Sequence, residues 1–266
     1  MKKIVALIAV LFAVVVPVQA QGADQKALVI IDSYFDSKVN APNISCVTVT
    51  NQKCTDVVTT TSPLISNVIN HGNAMAEVAK EQSSSLSIVL LRSAVPSAKS
   101  VADVNAGNFI DALIWVDANS SKIGAVSFSR YFNGTKNCSP ATTNTAEYGG
   151  VSGADQKIRQ LIVKLKTKGI PVFASTGNNP GTKIDYPACI TETNSVGTGS
   201  VNSNGVIVSV NAFDNNTDYF GSSSVSNYKS VVFGSIPQTT SSATVAVAAQ
   251  WLTKGALTDK VVDVNP

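Results

Sequence analysis

The chain has one histidine, His71, among 266 residues, so any mechanism that uses an imidazole as base must use that residue. No basic or acidic run occurs, which excludes an electrostatic grip on nucleic acid or on a charged membrane surface. The N-terminal apolar run, residues 4–16, is 13 residues long, short of the roughly 18 needed for a bilayer span, so no permanent membrane span is expected. The four cysteines lack zinc-site spacing, and no Asp-rich loop identifies a calcium site. Neither an internal repeat nor a second hydrophobic domain is visible.

What is present begins with a processing signal. Lys2 and Lys3 precede the apolar run, and Val18-Gln19-Ala20 offers small residues for cleavage before Gln21. Residues 1–20 therefore read as a signal peptide, and the mature chain, residues 21–266, as a secreted or periplasmic protein. Losing Lys2 and Lys3 lowers the formal charge from +3 to +1 and leaves 246 residues, enough for one α/β domain. In an oxidising compartment the four cysteines imply two disulfides. Of the three pairings, Cys46–Cys54 as a local clip and Cys138–Cys189 as a long-range one are favoured.

Strand and helix patterns alternate along the mature chain. Residues 27–31 are wholly apolar, as a parallel strand buried on both faces requires, and Asp32 stands at the strand's C-terminal end. Residues 36–63, rich in Ser, Thr, Asn and Val, read as a long connection with some β structure. Pro63 opens a helical stretch in which Asn70 is a candidate cap, with His71 just after it and Ala74, Met75, Val78 and Ala79 on the apolar face. Residues 86–91, 123–128 and 171–174 are further buried strands. They are separated by helices marked by Phe109, Leu113 and Val116, then by Ile158, Leu161, Ile162 and Leu165. Gly169 supplies a C-terminal stop. Residues 205–210 and 231–233 complete the strands, and a last helix follows Ser241 and ends near Gly255. The pattern predicts an α/β fold with a doubly wound, mostly parallel sheet and helices on both faces.

Two polar turns carry chemistry beside Asp32 and His71. Thr240-Ser241-Ser242-Ala243-Thr244 runs straight into an apolar helix, and free N–H groups and the dipole at such a start favour developing negative charge. Thr176-Gly177-Asn178 follows a strand, where an asparagine amide offers a neutral donor to an oxyanion.

Taken in order, these stretches resemble the subtilisin-like serine protease family, the subtilases. Ala27-Leu28-Val29-Ile30-Ile31-Asp32-Ser33 is similar to the family's strand ending in Asp-(Ser/Thr)-Gly, and His71-Gly72 with Ala76 and Val78 to His-Gly-Thr-His-Val-Ala-Gly. Phe173 to Asn178, with Tyr186-Pro187-Ala188 downstream, resembles the oxyanion segment; Thr240 to Thr244 resembles Gly-Thr-Ser-Met-Ala-(Ser/Thr)-Pro. The resemblance implies a serine endopeptidase with catalytic Asp32, His71 and Ser241, Asn178 as oxyanion donor, and Ser127-Phe128-Ser129 pairing with an extended peptide or protein substrate. It implies no required cofactor, and calcium is common in the family. An α/β hydrolase is disfavoured, because its order is Ser, Asp, His and no Gly-x-Ser-x-Gly elbow occurs here.

The departures define an alternative. Tyr34 replaces the glycine after Asp32-Ser33, Asn73-Ala74 replaces Thr-His, Thr239 and Val245 flank the nucleophile segment, and Ser129-Arg130 replaces Gly-Gly. Only residues 21–31 lie between the expected cleavage and Asp32, too few for a domain-sized pro-segment. A catalytically silent subtilase-like domain that binds peptide or protein in the same cleft is the second expectation.

Overall fold

The computed structural model describes residues 26–36, 39, 41–55, 63–82, 85–94, 104–130, 153–175, 186–188, 190, 192–201, 207–210, 230–233, 240–254 and 261–263. The expected signal peptide, Cys138, Asn178, Cys189 and Thr239 lie outside them.

Strand β1 (Ala27–Asp32) is buried along its whole length. Its neighbours are β3 (Ile88–Arg92) on one side and β4 (Ile123–Phe128) on the other, both parallel to it. Beyond β3 lies β2 (Ile44–Thr48); beyond β4 follow β5 (Val172–Ser175), β6 (Asn194–Val201), β8 (Ser230–Phe233) and β9 (Val261–Asp263). The order β2-β3-β1-β4-β5-β6-β8-β9 is parallel throughout, and β7 (Ile207–Val210) pairs antiparallel with β6. Among the described residues this is one sheet of nine strands, mostly parallel as the sequence predicts.

Alternation along β1 explains why helices cover both faces. Val29 and Ile31 enter one core with Val126 and Phe128 of β4 and with residues of α2 (Ala106–Ala118) and α3 (Gly153–Thr167). Leu28 and Ile30 point the other way and join Ala76 and Ala79 of α1 (Pro63–Gln82) and residues 243–249 of α4 (Thr240–Lys254). Each Val, Leu, Ile or Phe side chain so withdrawn from water contributes roughly 1.5–3 kcal/mol before chain entropy is counted, and each alanine less. Helix α4 is buried on every side from residue 243 to 250, and it packs on α1, β4, β5 and β6. That burial explains its Ala- and Val-rich sequence, since small side chains let a central helix approach the sheet.

Several boundaries differ from the expectations. The helix carrying His71 starts at Pro63, so Asn70 is an interior residue and not a cap, and His71 is the ninth of 20 residues. Proline suits a first helical turn because its missing N–H would have no intrahelical partner there. Strand β6 went unrecognised because its sequence, NSVGTGSV, is dominated by small and polar residues. The expected stop at Gly169 is present: this residue has φ +74°, and α3 ends just before it. Cys46 and Cys54 form the expected local disulfide, with Cα atoms 5.4 Å apart, tying β2 to the segment that follows it.

Candidate active site

The sheet order reverses around β1. The chain leaves β1 toward β2 and β3, but leaves β4 in the opposite direction toward β5. At such a switch point the loops beyond the strand ends diverge and leave a crevice, the usual ligand position in an open α/β sheet. Asp32 closes β1 at this edge, and Ser129 and Arg130 follow β4 beside it.

Asp32 is completely buried. Its Oδ1 accepts the Ser33 backbone N–H at 2.7 Å, and its Oδ2 lies 2.6 Å from His71 Nδ1. The Nε of Arg130 stands 3.8 Å from Oδ1. With the carboxylate as acceptor, Nδ1 carries the imidazole proton and the Nε2 lone pair is left as the basic site. The His71 side chain is 23% exposed, so this buried acid orients a base that solvent and substrate can reach. The strand end is also fixed from behind, as Ser93 donates to the Asp32 carbonyl through both its N–H and its hydroxyl, each at 2.9 Å.

The absence of a side chain at position 72 brings His71 to this carboxylate. A Cβ built on Gly72 would overlap the Tyr34 carbonyl oxygen and lie 3.0 and 3.2 Å from two ring carbons of Phe35. Glycine inside a helix costs about 1 kcal/mol relative to alanine, and here it permits α1 to touch the segment that leaves β1. Asn73, on the next position, accepts the Asp36 N–H at 3.0 Å and ties the same two elements together.

Tyr34, which stands where the related motif has glycine, is buried. The Arg92 guanidinium lies 3.8 Å from its ring centroid and donates to the carbonyls of Phe35 and Thr55. A cation over an aromatic face with carbonyl acceptors lowers the cost of burying an arginine. Sequence reasoning missed Arg92; its one signal was a charge ending the apolar run Ile88-Val89-Leu90-Leu91.

The remaining predicted site residues divide into two groups. Ser241 is the second residue of α4; its side chain, like all of Asn178, lies outside the described residues. Ser127, Phe128 and Ser129 are buried. The Phe128 ring packs on Phe109, with centroids 4.1 Å apart. At Ser127 and Phe128, β4 is bordered by β1 and by β5, so their backbone is already flanked on both sides. Ser129 is the first of the three beyond the last registered pair, and pairing with a substrate strand would have to start there. The Ser127 hydroxyl is buried without a hydrogen-bond partner among the described residues.

Two other clusters contain shifted titrating groups. On the α3 face, burial raises Asp155 above the usual carboxylate range, opposed in part by the neighbouring Tyr186 phenol. Burial, and then the Asp155 charge, push the Tyr186 phenol well up. At the end of α2, hydrogen bonds from Lys164 and Lys168, 2.7 Å each, hold Asp117 below its ordinary value. Among the described residues no three His, Cys, Asp or Glu side chains gather as a metal site would require. No described helix is long and apolar enough to cross a membrane.

This α/β fold is shared with solved protease structures. The prenylagaramide maturation protease PagA superposes with a TM-score of 0.53 at 14% identity, over 91% of this chain and 81% of that one. The protease domain of PatA gives 0.55 at 11% identity, over 89% and 84%. The nisin leader peptidase NisP from Lactococcus lactis gives 0.50 at 11%, over 86% and 77%. At these identities the likeness is one of fold. No protein-family model matches the chain, and no curated protein sequence matches it.

Proposed function

We propose that residues 21–266 form an exported serine endopeptidase, secreted or periplasmic after removal of residues 1–20, that hydrolyses peptide bonds in protein or peptide substrates. The observation that carries this reading is the 2.6 Å contact between the buried Asp32 carboxylate and Nδ1 of the chain's single histidine. A buried acid oriented on one nitrogen of a part-exposed imidazole is the arrangement a serine nucleophile requires.

In this reading the Ser241 hydroxyl attacks the scissile carbonyl while His71 Nε2 takes its proton. Asp32 holds the tautomer and stabilises the imidazolium. The Asn178 amide, with N–H groups at the start of α4, donates to the oxyanion; one such donor is worth about 2.7–4 kcal/mol in the transition state. His71 then protonates the leaving amine, and water releases the acyl group by the same steps in reverse. The chemistry asks for no cofactor. The names of NisP, a leader peptidase, and PagA, a maturation protease, support peptides as the substrate class.

A catalytically silent peptide-binding domain is the second reading. It is favoured by Arg130, a cation beside the carboxylate that would have to stabilise the imidazolium. Peptide-library hydrolysis by the purified mature chain, with Ser241→Ala beside it, separates the two. Cleavage lost in the variant supports the endopeptidase, and cleavage unchanged by the variant removes Ser241 from the mechanism.

A further inference from the structure

Three consecutive residues after β1 form the seat on which α1 rests beside His71. The Tyr34 carbonyl oxygen and two carbons of the Phe35 ring are the atoms nearest to where a Cβ at Gly72 would lie, and the Asp36 N–H donates to the Asn73 side chain at 3.0 Å. Gly72 and Asn73 directly follow His71, so the place of this segment decides where the imidazole meets Asp32. The ladder between β1 and β3 ends with Asp32 opposite Arg92. A further bond, from the Ala94 N–H to the Ser33 carbonyl at 3.3 Å, still stops one residue short of Tyr34.

Arg92 holds the seat beyond that point. Its guanidinium lies 3.8 Å from the Tyr34 ring centroid, one amino group donates to the Phe35 carbonyl, and the other donates to the Thr55 carbonyl at 2.8 Å. Thr55 is tied down in turn, because Cys54 before it is disulfide-bonded to Cys46 of β2 and donates its N–H to the Cys46 carbonyl at 3.1 Å. One planar cation thus joins the seat of α1 to the β2–β3 edge of the sheet. A guanidinium suits this task, since its donors form a rigid fork and its face stacks on a ring, whereas an ammonium offers a point charge. Phe35 is fully buried, so water does not readily replace a donor lost from its carbonyl.

We infer that Arg92 is a positioning residue for the Asp32–His71 pair: it acts through Tyr34 and Phe35, fixing the surface on which α1 packs at Gly72. Its bearing on catalysis rests on the endopeptidase reading, but the placing of His71 does not. Tyr34 acquires a part in the site on the same grounds, since the side chain standing in place of the motif's glycine is the surface against which Arg92 lies.

The single histidine makes the test direct, because the chain has one imidazole to follow. The proton between Nδ1 and Asp32 is read as a low-field NMR line at one fixed pH in the mature chain. Wild type is compared with Arg92→Met, Arg92→Lys and Ile162→Val, the last a core truncation on the other face of the sheet. In Arg92→Met the line should move upfield or broaden by exchange with water. In the same variant kcat for peptide hydrolysis should fall roughly 10²-fold with KM little changed, the scale of loss for a catalytic group displaced by about an ångström. Arg92→Lys should show the same changes in smaller measure, since it keeps the charge but cannot bridge both carbonyls. Ile162→Val should keep the wild-type line and kcat. An unmoved line in a folded Arg92→Met, or in a folded Arg92→Lys where the methionine variant does not fold, would overturn the inference, as would a wild type without such a line. A rise in KM at unchanged kcat would also overturn it by placing Arg92 in substrate binding, and an equal effect in Ile162→Val would reduce Arg92 to general stability. If neither Arg92 variant folds, Arg92 is a structural residue and the inference falls. If the line moves as expected but the wild type cleaves no peptide, the endopeptidase reading fails and this inference stands.

Discussion

Asp32 and Asp155 are both buried carboxylates, on opposite faces of one sheet, and their surroundings treat charge in opposite ways. Asp32 has a backbone N–H and a guanidinium on one oxygen and an imidazole nitrogen on the other. Asp155 sits in the first turn of α3 with its Oδ2 lacking a partner among the described residues, and burial raises it. Neighbouring Arg159 pairs with Glu192 at 2.9 Å. Burial alone therefore does not mark a functional acid. A carboxylate that must remain charged needs a donor for each oxygen, whereas one left short of donors favours its neutral form.

The sharpest way to break the comparison is Asp32→Asn. It preserves shape but offers Nδ1 a group that can donate as well as accept, so the imidazole tautomer is no longer fixed. We expect kcat for peptide hydrolysis to fall about 10⁴-fold, as for an analogous triad substitution, with the fold kept. A loss below tenfold would mean that the Asp32–His71 contact is only structural.

Next in size is Gly72→Ala. Alanine improves helix propensity, yet its Cβ meets the Tyr34 carbonyl, a backbone atom that cannot swing away. We expect a net loss of about 1–3 kcal/mol in urea unfolding, together with reduced activity as α1 moves off β1. An increase in stability would show that the close approach is not maintained in solution.

Asp155 predicts a pH dependence with a definite sign. Its folded value is raised above the unfolded one, so the fold favours the protonated form. The associated stability is fully present below the unfolded value, about 3.9, and is lost as pH rises through the folded value. Asp155→Asn should remove that slope. Urea midpoints of both proteins between roughly pH 3 and 7 measure it, and parallel curves would contradict the account.

The smallest effect belongs to Asp117, whose lysine partners lie at the surface. Lys168→Ala should cost at most about 1 kcal/mol and the difference should fade in high salt. Because Asp117 is held low, its contribution is present above the unfolded value and lost as pH falls through the folded one, opposite in sign to Asp155. A salt-independent loss would place the lysine's role in packing.

The legible part of this molecule was the part written in consecutive residues. The apolar runs that became β1, β3, β4 and β5 predicted a sheet buried on both faces, and the spacing of Ile158, Leu161, Ile162 and Leu165 predicted the buried stripe of α3. Asp32 at a strand end and a single histidine pointed to the same pair that lies 2.6 Å apart. Less legible were contacts between residues far apart in sequence. Arg130 reaches Asp32 across the switch point between β1 and β4, and Arg92 becomes meaningful only once Tyr34 stacks beneath it. Asn70 misled because a polar residue before His71 looks like a cap when the helix is taken to start there, whereas packing extends the helix back to Pro63. Strand β6 was hidden because pairing with β5 and β8, and not side-chain pattern, stabilises NSVGTGSV as a strand.

The central claim is that Asp32 and His71 activate Ser241. Mass-spectrometric labelling of the mature chain with a serine-directed fluorophosphonate tests it without knowledge of the substrate, using Ser241→Ala and Asp32→Asn beside the wild type. Stoichiometric adduct on Ser241 in the wild type, absent in the alanine variant and strongly slowed in the asparagine variant, is the predicted result. A folded wild-type chain that takes up no reagent at Ser241 would contradict it and leave a peptide-binding domain in its place.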